Sequence, residues 1–508
     1  MSDKEVLGSS VSFPSGRVSL NRFVKAPLYE ALATWRGGPP IDDHFGLYRL
    51  WAAGEWGMII SGNVQVSKHH LTFGRDMVVP EILTKDSIEP FQRLANVIHT
   101  PWPSALESDG DKQPPAPPHR RSLAIMQLSH AGRQSMNFAG GRAPFVAPLG
   151  ASSIPIKSRA KNSFVQALYP LMFTPPKAAS DEEVEDIIES FIRGAELAVK
   201  SGFDGVQLHG SHGYLLAQFI SPKTNNRQPP YGPASSLFLI RTIILRIRAV
   251  VPPEHLVGIK LNAADYVQGG LTEEEALEHL RVIANLRTTD GRACVDFIEI
   301  SGGDYETPAF YGVSSRQVYF ASYSRRALEA VKTIPDAPRI ILTGGFTSAA
   351  TMVDSVLQNH TEMIGVGRGS IADPFIPRRT LKGSSIKNDS KDVAKTGSLA
   401  PAPIAAWWSP PDIFLNGSIA ALQWATLMHE RAAQGLTLMA MELVPGSVIQ
   451  EDWLLPLTDA RQHYSPFWGS LQPFFKRDLL SKIAFVAKSL SVVALAGIML
   501  TTLHYPYQ

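Results

Sequence analysis

Eight short apolar runs, each bounded by turn-forming residues and separated by stretches of helical periodicity, constrain this chain more than any other feature. They fall at 22–28 (RFVKAPL), 58–63 (MIISGN), 123–128 (LAIMQL), 205–209 (GVQLH), 256–261 (LVGIKL), 296–301 (DFIEIS), 339–343 (RIILT) and 363–366 (MIGV). Runs of this length read as strands buried on both faces of a parallel sheet, with the helical stretches as crossovers. Eight is the number that closes a (β/α)8 TIM barrel. An open doubly wound sheet would alternate in the same way, but no G-x-G-x-x-G turn follows an early strand, so the barrel is favoured.

The crossover helices carry their own start signals. Ser180-Asp-Glu-Glu183 forms a capping box ahead of Val184, Ile187, Ile188, Phe191, Ile192 and Ala195 at amphipathic spacing. Thr272-Glu-Glu-Glu275 repeats the device. The expected organisation is a barrel domain over 1–380 with loop insertions, a linker at 381–405 rich in Lys, Ser, Gly and Pro, and a C-terminal helical extension at 406–508. One insertion is the proline-rich, polar stretch at about 100–120; another is the Gly/Pro/Ser-rich excursion at 135–179, placed to cover one barrel mouth. Residues 483–503 carry Lys488 as their single charge and have Lys476, Arg477 and Lys482 upstream, which makes them a candidate membrane-anchoring helix; the alternative is a helix buried against protein.

Composition narrows the chemistry. The single cysteine, Cys294, excludes intramolecular disulfides, thiolate zinc clusters and cysteine-ligated iron–sulfur centres, so any redox chemistry needs an organic cofactor. A net charge of +2 argues against a nucleic-acid binder driven by bulk charge. The N-terminal MSDKEVLGSSVSFPSG has no apolar core of signal-peptide length, and a cytoplasmic location is expected, with membrane association through the C-terminal helix as a variant. The expected partner is a small-molecule substrate, and self-association stays open.

In such a barrel the residues at the C-terminal strand ends form the active site. In chain order these are Ala26 and Pro27, Gly62, Gln127 and His130, His209, His212 and Tyr214, Lys260, Ser301 with Gly302, Gly344 with Gly345, and Gly367 with Arg368. The glycines of TGGF (343–346) and GVGRG (365–369) follow the last two strands, where barrels hold a phosphate with backbone N–H groups and a cation, here Arg368. In LHGSHGYLLAQF (208–219), His209 and His212 lack the third ligand of a metal set, so no metal is expected. The pair better serves as hydrogen-bond donors to a carbonyl or nitro oxygen, with Tyr214 as proton donor.

These motifs closely resemble the Old Yellow Enzyme family, the NADH:flavin oxidoreductases or FMN-dependent ene-reductases. The resemblance runs from about residue 20 to 377 and rests on LNRFVKAPL (20–28), GMIISGNV (57–64), QLSHAGRQ (127–134), GFDGVQLHGSHGYLLAQFISPKTNNR (202–227), KLNAADY (260–266), DFIEISGGDYE (296–306), TGGF and IGVGRGSIADP (364–374). It implies an FMN cofactor with NAD(P)H as reductant. It further implies that Ala26, Pro27 and Gly62 line the flavin, that Gln127 bonds its pyrimidine edge and that Lys260 sits beside its N1–C2 carbonyl. Gly302, Gly344, Gly345, Gly367 and Arg368 would then hold the phosphate and ribityl chain, His209 and His212 the substrate oxygen, and Tyr214 would protonate the α-carbon of an activated alkene. Tyr29 stands where many members carry Thr or Cys, and Tyr231-Gly-Pro233 where they read YGG. The alternatives are a redox-neutral flavin isomerase or dehydrogenase, a membrane- or partner-anchored flavin-binding scaffold, and a non-flavin barrel acting through Lys260.

Overall fold

The structure, a computed structural model, describes residues 2–100, 121–157, 169–303, 320–346, 348–382, 428, 429, 431–436 and 439. Eight parallel strands form its centre: β1 (Phe23–Lys25), β2 (Met58–Gln65), β3 (Leu123–Ser129), β4 (Gly205–Gly210), β5 (Leu256–Asn262), β6 (Phe297–Ser301), β7 (Arg339–Thr343) and β8 (Met363–Val366). Each pairs with its sequence neighbours, and β8 pairs with β1 through Ile364↔Phe23 and Val366↔Lys25, so the sheet closes on itself. All eight expected strands are present. The main boundary difference is at β1, which ends before Pro27, a residue with no N–H to offer a ladder.

Helices α1 (Asp42–Ala53), α2 (Lys85–His99), α3 (Asp181–Lys200), α4 (Phe238–Val250), α5 (Glu273–Ala284), α6 (Ala321–Val331), α7 (Ala349–Leu357) and α8 (Ile376–Lys382) follow the strands in turn. Both expected capping boxes form: Ser180 Oγ accepts from the Glu183 N–H and Thr272 Oγ1 from the Glu275 N–H, starting α3 and α5. The apolar stripe of α3, from Val184 to Ala198, packs into the shell between helices and barrel.

Side-chain alternation gives the barrel interior a gradient of polarity. Val24, Met58, Ile60, Leu123, Ile125, Leu256, Phe297, Ile341 and Met363 form an apolar floor at the N-terminal strand ends. Val11 and Phe13 of an antiparallel hairpin (Val11–Ser12 with Val18–Ser19) join that floor, Phe13 meeting Phe297 edge-on. Two residues further along the strands the inward positions turn polar: Gln127, Gln207, Lys260, Glu299 and Thr343. The functional end is therefore built into the strands themselves.

Part of the C-terminal extension seats on the barrel wall. Arg431, fully buried, donates from Nε to the Ile371 carbonyl at 3.0 Å and from its guanidinium to the Ala372 carbonyl at 2.6 Å. Gly46 of α1 and Gly435 let the two backbones touch, since a Cβ on Gly435 would lie 1.7 Å from the Gly46 carbonyl oxygen. No helix among the described residues is long and apolar enough to cross a membrane. The segment 483–503, most of the linker and most of the insertion at about 100–120 lie outside the described residues.

Candidate active site

Three rings converge at the top of β4. His209 and His212 meet edge-to-face with centroids 5.2 Å apart, and His209 and Tyr214 do the same at 4.6 Å. His209 points inward from the strand, and the chain then turns sharply through His212 (φ +59°) and Gly213 (φ +76°). That turn swings His212 back toward β6, where its Nε2 lies 2.9 Å from Ser301 Oγ, while Asn262 Oδ1 accepts the His212 backbone N–H at 3.1 Å. Tyr214 then caps a short helix, Leu215–Ile220, and is buried. Burial first, then the neighbouring His212 ring and Lys260, hold the His209 pKa well below its usual value; burial and then Lys260 do the same for His212. Both imidazoles are neutral near pH 7, and a neutral imidazole has one N–H to donate.

Below the rings lies a buried polar layer. Gln127 and Lys260 sit inside β3 and β5 rather than just beyond them, because these strands run on to Ser129 and Asn262. Gln127 Nε2 donates to Gln207 Oε1 at 2.8 Å, and Gln207 Nε2 donates to Glu299 Oε2 at 2.8 Å. The other Glu299 oxygen pairs with Lys260 Nζ at 2.9 Å and accepts from Thr343 Oγ1 at 2.7 Å. Sequence reasoning missed Gln207, Glu299 and Thr343. The available signal was a charged residue in the middle of FIEIS and a Gln at the same depth of GVQLH, both in strands otherwise apolar.

The β1–β2 side is shaped by a second buried network. An extra residue in β2 shifts its register with β3 between Ile60 and Asn63, and Gly62 sits in that bulge. Its N–H is held by Tyr48 Oη at 2.8 Å and Glu30 Oε1 at 3.2 Å, and a Cβ there would lie 2.6 Å from the Leu28 carbonyl oxygen. The Gly62 N–H is thus already engaged within the protein. Behind it Lys25 points out of the barrel, donating to the Ile60 carbonyl at 3.0 Å, 3.6 Å from Glu30 and over the Trp51 ring. Burial pulls the Lys25 pKa down to about 8. Ala26 is buried and Pro27 half-buried at the mouth. Tyr29 follows them with its hydroxyl buried, its ring edge-on to Phe73 and its pKa raised well above the usual value by burial and by Asp76.

Glycines mark the ends of β6, β7 and β8. Gly302, Gly344, Gly345 and Gly367 follow these strands in succession, Gly344 and Gly345 with φ of +123° and +77°. Among the described residues a Cβ on Gly344 would meet nothing nearer than the Phe320 ring at 3.9 Å and one on Gly367 nothing nearer than Leu28 at 3.5 Å, whereas one on Gly302 would lie 2.7 Å from the Phe320 ring. Exposed Arg368 stands at the start of the short helix Gly369–Ala372. His130, by contrast, is turned away into a stack on His70, with centroids 4.3 Å apart. A backbone cradle with a cation on one side and a polar, amide-and-ammonium layer on the other fits a ligand with an anionic tail and a planar, hydrogen-bonding head.

The family model described as NADH:flavin oxidoreductase / NADH oxidase matches residues 118–386. The chain is 32% identical over 413 residues to the NADH-dependent flavin oxidoreductase of Talaromyces variabilis, covering 78% of this chain and 91% of that protein. It is 31% identical over 390 residues to the NADH-dependent flavin oxidoreductase of Neonectria sp. (strain DH2), covering 74% of this chain but only 47% of that relative, about half its length. The fold is that of the old yellow enzyme homologue from Zymomonas mobilis, with a TM-score of 0.56 at 20% identity, covering 77% of this chain and 96% of that one.

Proposed function

Because the chain belongs to the NADH:flavin oxidoreductase / NADH oxidase family, we propose that it is an FMN-dependent ene-reductase that adds two hydrogens across an activated carbon–carbon double bond at the expense of NAD(P)H. The observation that carries this reading is the cluster of His209, His212 and Tyr214 over the Gln127–Lys260 layer. FMN, when bound, supplies hydride transfer from a reduced nicotinamide to an electron-poor carbon.

The chain's own residues do the rest. Gln127 and Lys260 hold the polar edge of the flavin, Ala26, Pro27 and Gly62 present it with surface, and Gly302, Gly344, Gly345, Gly367 and Arg368 take its phosphate and ribityl chain. His209 and His212, held neutral by burial, each donate one hydrogen bond to the substrate's carbonyl or nitro oxygen, which draws electron density from the β-carbon. Tyr214 delivers a proton from Oη to the α-carbon as the β-carbon gains hydride, so the product carries one proton and one hydride more than the alkene. Burial of His209 and Tyr214 keeps bulk water from competing for that proton.

The test is an absorption spectrum of the purified chain from about 300 to 550 nm, followed by anaerobic NADPH or NADH and then an α,β-unsaturated ketone. Bleaching of an oxidised-flavin spectrum by the nicotinamide and its recovery with the ketone is the expected result. A chain that bleaches but passes no hydrogen to any activated alkene is not an ene-reductase.

A further inference from the structure

The buried layer beneath the three rings holds a carboxylate for which the reaction above has no use. Glu299 is completely buried, yet three donors from three strands converge on it: Lys260 Nζ (2.9 Å) from β5, Gln207 Nε2 (2.8 Å) from β4 and Thr343 Oγ1 (2.7 Å) from β7. Through Gln207 it also reaches Gln127 on β3. Both residues assigned to the flavin's polar edge are thus oriented by one carboxylate. A lysine there alone would present a full positive charge to the ring; the pair presents a dipole with no net charge. In a buried, water-poor site that difference is felt strongly, because little solvent screens it.

We propose that Glu299 is a positioning residue that sets the reduction potential of the bound FMN by partly neutralising Lys260. The proposal rests on the FMN-binding reading above and on Lys260 lying at the flavin edge. Two-electron reduction with uptake of one proton leaves the flavin one negative charge richer, and Lys260 favours that state. Glu299, one hydrogen bond further away, opposes it. The carboxylate therefore holds the potential below the value an unpaired lysine would set, which makes the reduced cofactor a stronger hydride donor to the alkene.

The experiment is the midpoint potential of FMN in the holoprotein, measured anaerobically against a reference dye, for the parent chain, Glu299→Gln, Lys260→Met and the double variant. Glu299→Gln keeps the side chain's shape and is expected to tighten reduced relative to oxidised FMN tenfold or more, a rise of about 30 mV for a two-electron couple. Lys260→Met is expected to lower the potential, and the double variant, again without net charge, to return toward the parent. A Glu299→Gln protein with the parent's potential, beside a Lys260→Met protein that shifts, overturns the proposal. Unchanged potentials in both single variants overturn the placement of Lys260 and the proposal with it, and a parent chain that binds no FMN overturns the cofactor reading beneath both. Should Glu299→Gln fail to fold, Thr343→Val retains the carboxylate but strips one donor from it. That exposes more of its charge and is expected to lower the potential; no shift overturns the proposal.

Discussion

Tyr214 and its two histidine neighbours show how much chemistry depends on single side chains in this site. The phenol lies against the His209 ring and is buried, so it is placed to give up a proton where a substrate, not water, takes it. Tyr214→Phe is expected to leave reduction of the bound flavin by NAD(P)H nearly intact while slowing the alkene half-reaction by about 10²-fold or more, the range for a lost general acid. Stopped-flow measurement of the two half-reactions separates these effects, and an equal loss in both would refute the proton-donor role. The histidines were legible from the spacing H-x-x-H-x-Y. Ser301 as the group that orients His212 was not, because contact between the ends of β4 and β6 is decided by barrel closure.

At the scale of the element, strands β3 to β7 turn from apolar or small residues at the N-terminal end of the inward face to polar ones at the C-terminal end, and the floor beneath is packed tightly. Gly258 shows this. A Cβ there would fall 2.2 Å from the Phe297 ring on the adjacent strand, so β5 reaches its register with β6 only because the position has no side chain. Gly258→Ala is expected to destabilise the fold by about 1–3 kcal/mol, the usual cost of overpacking a filled core, read as a lower midpoint in urea with the slope unchanged. A midpoint equal to the parent's would mean that the floor has room to spare. The bulge at Gly62 belongs to the same scale. Its backbone N–H is tied to Glu30 and Tyr48 from outside the barrel wall, and nothing in the run MIISGN announces that an extra residue interrupts the pairing there.

For the whole molecule, the burial of neutral histidines sets the response to acid. Burial pushes His44 and His130 down to about 3 and His255 to about 4, and holds His70, His209 and His212 well below the usual value. In the unfolded chain these groups titrate near about 6.5. As pH falls below that, the unfolded state takes up protons that the folded state refuses, so stability is present above about 6.5 and drains away as the pH drops. Burial raises Asp76 to about 6 and also raises Glu30 and Asp373, which acts in the opposite direction. Six histidines outweigh three carboxyl groups, and the urea midpoint is expected to fall between pH 7 and pH 5. A midpoint that holds or rises over that interval would show that the imidazoles accept protons without unfolding.

The strand count, the two capping boxes and the inward glycines, histidines and tyrosine were determined by local sequence, because strand length, helix starts and side-chain alternation depend on residues near one another in the chain. The barrel's identity followed from counting those elements. Tertiary structure alone decided the carboxylate under Lys260, the Glu30–Tyr48 grip on Gly62 and the seat of Arg431 beside Gly369–Ala372. Each joins residues from separate strands, helices or the distant extension. Such partners are chosen by which positions share a layer once the sheet has closed and by how few alternatives a buried charge has, and neither condition exists until the chain is folded.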